Sequence, residues 1–273
     1  MPLVTTSAVS GLDPRVRIFR HGTLVDTFAV ITERFIALID TGESPEAMEE
    51  VTTLLAPDRP LLVINSHGDW DHVWGNALFA PGARYPAPIV GHLLAPGRIA
   101  AGRPYLDARR AEVPGRYDSV RLVPPTILLS AGRLAGGDLD LDLIPTPGHT
   151  PDHLAVWIPQ LRLLLAGDAA ELPFPVVSDD GSLPELRASL RRMLALQPEN
   201  VLYCHASGLS GPALIHRNGE YFAALERHAR AGTLDSFGYE EAVPGDLPID
   251  DAFYRRFHER NTRAAAETYT GRS

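Results

Sequence analysis

Short apolar runs recur along the chain and predict a set of buried strands. The run Leu61-Leu62-Val63-Ile64 is typical, since four consecutive apolar residues suit a strand that is covered on both faces. Turns are expected near His21-Gly22 and Glu33-Arg34. Comparable strand-like runs occupy residues 16–19, 27–31, 35–39, 87–90, 127–130, 139–144, 154–158, 161–166 and 201–204.

Segments with helical periodicity lie between and after these runs. Ser44-Pro45 has the form of a helix N-cap followed by proline at the first helical position, so we expect a helix that continues to Leu55. Further helices are predicted over 183–196, over 218–230 with a stop at Gly232, and over about 250–268. This order of strands and helices favours an α/β protein with two sheets packed between helices.

The loop that follows Leu61-Leu62-Val63-Ile64 carries most of the candidate metal ligands. Its sequence is His67-Gly68-Asp69-Trp70-Asp71-His72, so four side chains that can bind a metal fall within six residues. A strand that ends in a tight loop of this kind directs several side chains at one point. A polynuclear metal site requires that arrangement.

Three later apolar runs also end at a histidine or an aspartate. His149 follows the run at 139–144, Asp168 follows the run at 161–166, and His205 follows the run at 201–204. A single histidine beside an apolar segment is more often structural than functional. Four coincidences together predict one metal centre that is assembled from four loops.

This arrangement resembles the metallo-β-lactamase-fold superfamily. Members carry an H-x-H-x-D-H loop, a lone histidine in a PGHT-like turn, an aspartate in a Gly-Asp pair and a final histidine. The segment Ile39-Asp40-Thr41-Gly42 also resembles the end of the family's first hairpin. The resemblance covers about residues 16–210 and implies an αββα sandwich, in which two mixed β-sheets are flanked by helices.

The resemblance also implies a binuclear site and the roles of its ligands. Asp71 and Asp168 would be the catalytic residues that position the nucleophile. The implied ligand set is His67, Asp69 and His149 for the first metal, Asp71, His72 and His205 for the second, and Asp168 as a bridge between them.

Asp69 departs from the family pattern, because most members have a histidine there. A carboxylate is a harder ligand than imidazole and shifts the preference from zinc towards manganese or iron. We expect two divalent metal ions, zinc before iron or manganese, with the first site the weaker or more promiscuous one. Two other interpretations make Asp69 an acceptor that holds a ligand histidine, or a loop cap.

We expect residues 1–273 to form a single metallo-β-lactamase-like domain. In residues 92–125, arginines alternate with proline, glycine and tyrosine, which predicts a partly helical insertion that covers the site. A solvated surface segment is the alternative. Residues 218–273 are predicted to form a C-terminal helical extension that packs on its own chain, with a homo-oligomer contact as the alternative.

Composition restricts the classes of partner. The 273 residues include 25 basic and 34 acidic side chains, for a formal net charge of −9, which argues against nonspecific nucleic-acid binding. All 25 basic residues are arginine, which excludes a lysine Schiff base. No apolar run approaches the ~20 residues that span a bilayer. With one cysteine, Cys204, and no recognisable signal peptide, we expect a cytoplasmic protein without membrane or nucleic-acid partners.

The resemblance implies a metal-dependent hydrolase whose metal-bound hydroxide cleaves an ester, thioester or lactone bond of a small molecule. A di-iron redox protein that reacts with oxygen or nitric oxide is the alternative. In the di-iron branch of the superfamily, a glutamate occupies the position that corresponds to Asp69. A phosphodiesterase or nuclease is a further alternative, and the acidic balance counts against it. The near-complete ligand set argues against a binding or regulatory protein with a vestigial metal site. The sequence does not identify the substrate.

Other residues near the motifs have competing interpretations. His153 is either a hydrogen-bond donor to substrate or to a ligand carboxylate, or part of a structural hydrogen bond. Cys204 is expected to be a small buried hydrophobe. Trp70 and Trp74 either line a substrate pocket or support the metal loop. Three histidines are not expected to be ligands, and they are His21, His92 and His216.

Overall fold

The computed structural model of the chain describes residues 2–22, 24–205, 210–243, 247 and 251–271. Within these ranges the strands form two sheets. The first sheet consists of β1 (Val4–Ser7), β2 (Val16–His21), β3 (Val25–Ile31), β4 (Ile36–Ile39), β5 (Leu61–Ile64), β6 (Ile89–His92) and β7 (Ile127–Leu129), adjacent in that order. The second consists of β8 (Gly132–Ala135), β9 (Asp140–Pro145), β10 (Leu154–Ile158), β11 (Leu163–Leu165) and β12 (Asn200–Leu202), in the spatial order β12-β11-β10-β9-β8.

Helices cover the outer faces and one end of this pair of sheets. The α-helices of the described residues are α1 (Pro45–Leu55), α2 (Trp70–Val73), α3 (Ala95–Ala101), α4 (Arg103–Glu112), α5 (Leu183–Ala195), α6 (Ala213–Ala231), α7 (Tyr239–Ala242) and α8 (Asp251–Thr270). Short 3₁₀ turns occupy Trp74–Leu78, Pro159–Leu161, Gly167–Ala169 and Leu234–Ser236. None of the helices described here is long and apolar enough to cross a membrane.

The apolar side chains sort into layers. Residues such as Phe28 and Ile64 of the first sheet meet Leu143 and Val156 of the second in a buried core between the sheets. Helix α1 covers the opposite face of the first sheet. Helices α5, α6 and α8 cover the opposite face of the second sheet. The αββα sandwich implied by the resemblance is therefore confirmed.

Most predicted elements are present, with shifts at their ends. Ser44 caps α1 by accepting a hydrogen bond from the Ala47 N–H at 3.2 Å, and Gly232 ends α6 in the left-handed conformation, as predicted. Strand β6 starts at Ile89, two residues later than expected. Helix α6 starts at Ala213, before the expected position 218. The predicted start of the last helix at 250 lies outside the described residues.

Segment 92–125 is partly helical, as predicted, because it forms α3 and α4. Its residues Ile99, Leu106 and Tyr117 are buried against Val73 and Trp74, directly after the ligand-rich loop. The segment therefore packs on the candidate site. Its status as an insertion, the single-domain organisation and the C-terminal extension at 218–273 stay predictions.

Strand direction brings the candidate ligands to one edge of the sandwich. Strands β4 and β5 are parallel, so Asp40 and the His67 loop leave the first sheet at the same end. Strands β9, β11 and β12 also share one direction, because β10 is antiparallel to β9 and β11, and β12 is parallel to β11. The polar residues after each carboxyl end therefore meet between the sheets.

Candidate metal centre

The side chains proposed as ligands to the first metal converge on one point. His67 Nε2 lies 3.6 Å from Asp69 Oδ2 and 3.7 Å from Asp168 Oδ2. His149 Nε2 lies 3.3 Å and 3.5 Å from the same two oxygens. We call His67, Asp69 and His149 the first half-site.

The side chains proposed for the second metal converge in the same way on the other side of Asp168. Asp168 Oδ1 lies 3.4 Å from both His72 Nε2 and His205 Nε2. Asp71 approaches with both oxygens, Oδ1 at 3.8 Å from His72 Nε2 and Oδ2 at 3.5 Å from His205 Nε2. We call Asp71, His72 and His205 the second half-site, with Asp168 shared through its two different oxygens.

These distances suit metal coordination. Donors at ~2.1 Å from a tetrahedral ion lie about 3.4 Å apart. The buried Nε2 atoms of His67, His72 and His149 have no hydrogen-bond partner among the described residues. Buried polar atoms are normally paired, so three unpaired nitrogens aimed at shared carboxylates fit a pair of cations.

The groups whose ligand atoms all lie within 4.8 Å of one another differ from the predicted sets in two respects. Across the described residues they are His67, His149 and Asp168, and His72, Asp168, Cys204 and His205. Asp69 and Asp71 approach the imidazoles from outside these groupings. Cys204 was expected to be only a small buried hydrophobe; it is buried, and its thiol also donates to Asp168 Oδ1 at 2.7 Å.

Each ligand imidazole is held through its second nitrogen. His67 Nδ1 lies 2.9 Å from Ser66 Oγ, and His72 Nδ1 lies 2.9 Å from Asp40 Oδ2. Backbone carbonyls accept from the other two, at Val176 for His149 and at Leu24 for His205, both at 2.7 Å. Such contacts fix the tautomer and the ring orientation that metal binding needs.

The electrostatics of the metal-free cluster follow from buried opposite charges. Burial alone would lower the pKa of His149, but Asp69 and Asp168 raise it to about 9. Burial would also lower the pKa of His205, but Asp168 raises it to about 10. Burial would raise the pKa of Asp168, but His72 and His205 hold it well below its usual range. Metal binding requires neutral imidazole, so binding at neutral pH would displace protons from this cluster.

His153 has a structural role within the site. Its Nε2 accepts from the backbone N–H of Asp168 at 3.0 Å, and its Nδ1 lies 2.7 Å from Thr146 Oγ1. Burial and then the nearby His67 lower the pKa of His153 well below its usual value, which keeps it neutral. Gly167 leaves space for this ring, since a Cβ there would lie 2.6 Å from His153 Nε2. The structural interpretation of His153 is therefore the better one.

The sequence pattern does not predict two features of the site. Arg98 of α3 donates to Asp69 Oδ1 at 2.6 Å. Glu171, three residues after Asp168, is buried and accepts from Tyr254 of α8. Burial raises the pKa of Glu171 to about 7. The arginines of 92–125 were noted in the sequence, but nothing in their pattern selects Arg98.

The tryptophans of the loop have different surroundings. Trp74 is buried and its ring lies 5.2 Å from that of Tyr117, so it supports the loop. Trp70 is half-buried, with its ring 5.8 Å from the exposed Tyr105 of α4. His21, His92 and His216 are not among the groups of described residues that could hold a metal.

A sequence profile described as the metallo-beta-lactamase superfamily matches residues 22–205, which include every proposed ligand. The chain belongs to the metallo-β-lactamase superfamily. This superfamily assignment agrees with the sandwich fold and with the His/Asp cluster at its edge, which could hold a metal ion.

Individual relatives of this superfamily member are distant. Over 133 residues it is 29% identical to the probable metallo-hydrolase YybB of Bacillus subtilis, covering 49% of this chain and 56% of that protein. Over 189 residues it is 24% identical to a hydroxyacylglutathione hydrolase of Mesorhizobium japonicum, covering 66% and 65%. The chain thus spans about half to two thirds of the curated relatives it matches.

The fold extends to solved structures with little sequence identity. The sec-alkylsulfatase Pisa1 from Pseudomonas sp. superposes with a TM-score of 0.70 at 16% identity, covering 96% of this chain and 50% of that enzyme. At this identity the likeness concerns the fold alone.

Proposed function

We propose that the protein is a binuclear metallo-hydrolase that cleaves an ester, thioester or lactone bond of a small molecule. The observation that supports this most is the position of Asp168, whose two oxygens face two different sets of imidazoles at 3.4 to 3.7 Å. A mononuclear site would leave one of those sets without a function.

The proposed ions would be two divalent cations, zinc before iron or manganese. Bound ions would supply a hydroxide nucleophile near neutral pH and polarise the bond that it attacks. Asp168 would hold the two half-sites at a fixed separation. Asp71, with both oxygens at the second half-site, would orient the nucleophile.

The substrate proposal places thioesters first. Several curated relatives are named hydroxyacylglutathione hydrolase, a name that describes cleavage of an acyl thioester. The rings of Trp70 and Tyr105 lie beside the loop that carries Asp69 and Asp71, and they offer an apolar surface for an acyl group. We expect a cytoplasmic location, in which the single cysteine stays reduced.

A di-iron redox centre is the second candidate, and Asp69 favours it. The Asp69 carboxylate lies 3.3 Å from His149 Nε2, where it adds a hard oxygen donor to the first half-site. Such a centre would need an electron donor that the described residues do not include.

Elemental analysis of protein purified without added metal tests the proposal first, together with the visible spectrum and a panel of thioesters, esters and lactones. We expect about two metal ions per chain and hydrolysis that a chelator abolishes and that added zinc restores. Asp142→Asn is a suitable control, because Asp142 of β9 pairs with the exposed Arg133 of β8 and is not one of the proposed ligands. A coloured iron protein without hydrolytic activity would support the redox candidate, and metal-free protein would exclude both.

A further inference from the structure

Arg98 joins Asp69 to two other carboxylates through three different nitrogens. Its Nη2 lies 2.6 Å from Asp69 Oδ1, its Nε lies 3.0 Å from Asp152 Oδ1, and its Nη1 pairs with Asp180. A planar guanidinium can make contacts of this kind in fixed directions, whereas a lysine ammonium acts as a point charge. The guanidinium therefore fixes the position of Asp69 relative to that of Asp152.

Asp152 anchors this arrangement from inside the protein. It is completely buried, whereas Asp180 is half-exposed. Among the described residues no conventional hydrogen bond reaches either oxygen of Asp152, so its ion pair with Arg98 is its principal stabilising contact. A buried carboxylate of this kind requires a partner, and it holds the guanidinium beside the metal loop.

Gly68 provides the space for this approach. A Cβ at position 68 would lie 3.0 Å from Arg98 Cβ and 3.1 Å from Asp152 Oδ2. Those separations are tighter than nearly all ordinary Cβ contacts. The glycine inside the ligand-rich loop thus lets Arg98 and Asp152 pack against Asp69.

The contact divides the two oxygens of Asp69 between two tasks. Oδ1 accepts from Arg98, and Oδ2 faces His67 and His149 at 3.6 and 3.3 Å. Asp69 is the most exposed of the proposed ligands that form ion pairs here, with 29% of its side chain accessible. Without Arg98, this carboxylate would be free to rotate, to bind through both oxygens or to turn to solvent.

We propose that Arg98 is a positioning residue that holds Asp69 as a one-oxygen ligand in the first half-site, with Asp152 as its buried anchor. This inference rests on the proposed metal centre. It explains how an aspartate can replace the imidazole that most members of the superfamily use here. The guanidinium orients the aspartate, whose side chain is shorter than that of histidine. Asp69 and Arg98 together therefore replace one histidine ligand.

The test is stepwise metal affinity, measured by competition with a chromophoric chelator in the wild type, Arg98→Gln and Arg98→Lys. Loss of a group that hydrogen-bonds a ligand typically costs about 10–100-fold in metal affinity. We expect Arg98→Gln to weaken one of the two binding steps by that factor and to leave the other unchanged. Arg98→Lys should recover only part of the loss, because it cannot pair with Asp69 and Asp152 in the same geometry.

The deciding comparison uses the Asp69→His background. An imidazole ligand needs no guanidinium, so Arg98→Gln should change the affinity there by less than about threefold if Arg98 acts through Asp69. Asp180→Asn is the matched control that removes the exposed partner of Arg98, and it should leave both binding steps near the wild-type values. The cobalt absorption spectrum should change in Arg98→Gln and not in Asp180→Asn.

Loss of folding is controlled by a paired variant. If Arg98→Gln leaves Asp152 as an unpaired buried charge and fails to fold, Arg98→Gln/Asp152→Asn removes both charges, and the same affinities are measured in it. Two wild-type metals, with Arg98→Gln causing equal losses in the wild-type and Asp69→His backgrounds, would overturn the inference and leave the proposed function intact. A wild type that binds no metal would overturn both.

Discussion

The two half-sites contain similar ligands but are held by different parts of the chain. In the second half-site, His72 is held by Asp40, which directly follows strand β4 of the sandwich. In the first half-site, Asp69 is held by Arg98 from helix α3 of segment 92–125. His72 is thus held from the central sheet, whereas Asp69 is held from a segment that packs over it.

The aspartates of the two half-sites also differ in exposure. Asp71 of the second half-site has 11% of its side chain accessible, compared with 29% for Asp69. Loop segments tolerate sequence change better than sheet cores do. That the first half-site is the weaker or more promiscuous one stays a prediction, and it depends on Asp69.

The largest effect is expected from Asp168→Asn, because both half-sites share this carboxylate. An amide has one carbonyl oxygen and cannot bridge, so both binding steps should weaken by more than the ~10–100-fold typical of groups that only hydrogen-bond a ligand. Chelator competition and elemental analysis would measure the change. Retention of two tightly bound metals in this variant would contradict the bridging role.

A smaller effect, strongest at the second half-site, is expected from Asp40→Asn. Asp40 contacts His72 directly and reaches the first half-site only through Ser66, whose Oγ lies 2.9 Å from His67 Nδ1. Asp40 Oδ2 accepts from Ser66 Oγ at 2.8 Å and lies 2.9 Å from His72 Nδ1. An amide nitrogen in its place would be a donor that faces the hydroxyl and N–H donors of those two residues. Asp40 has φ of 64°, a left-handed conformation that asparagine also tolerates, so the backbone is preserved. We expect the binding step at the second half-site to weaken by about 10–100-fold and the other step to weaken less.

Combination with Arg98→Gln shows whether the two supports are independent. If Asp40 and Arg98 serve different half-sites, the double variant should weaken both steps, each by the factor seen in its single variant. Thermal unfolding of the metal-free proteins controls for loss of the fold. A single variant that weakens both steps equally would contradict the separation of the two half-sites.

The sequence predicted the half-site residues better than it predicted what holds them. The ligands follow apolar runs such as 61–64 and 161–166, and a strand end is a local signal that periodicity detects. The shared direction of β4 and β5 in one sheet, and of β9, β11 and β12 in the other, then gathers the loops of each sheet at one end. Edge strands β1 and β8 were missed because their side chains are mostly exposed and lack an apolar run.

The supports are long-range contacts without a local signal. Arg98 reaches Asp69 across 29 residues, and Asp40 reaches His72 across 32. Segment 92–125 contains six arginines, and only the packing of α3 on the metal loop distinguishes Arg98 from the others. For the same reason, the contact of Tyr254 with Glu171 could not be inferred from either residue alone.

The smallest effect is expected at Cys204, which adds a further contrast between the half-sites. Its thiol lies in the group that contains His72 and His205, and it donates to Asp168 Oδ1 at 2.7 Å. Burial and then the charge of Asp168 raise the pKa of this thiol well above its usual value, so it is a hydrogen-bond donor in the metal-free protein. A donor role can be kept by a hydroxyl, whereas a thiolate ligand cannot be replaced in that way.

Cys204→Ser therefore tests whether Cys204 acts as a hydrogen-bond donor or as a metal ligand. Serine retains a donor to Asp168, and a hydrogen bond contributes only about 1 kcal/mol net, so both metal affinities should stay within roughly fivefold of the wild type. Cobalt-substituted wild-type protein should lack a thiolate-to-cobalt charge-transfer band. The band, together with a much larger loss in Cys204→Ser, would make Cys204 a ligand of the second half-site. The second half-site would then prefer soft metals, whereas the carboxylate of Asp69 gives the first half-site a hard ligand.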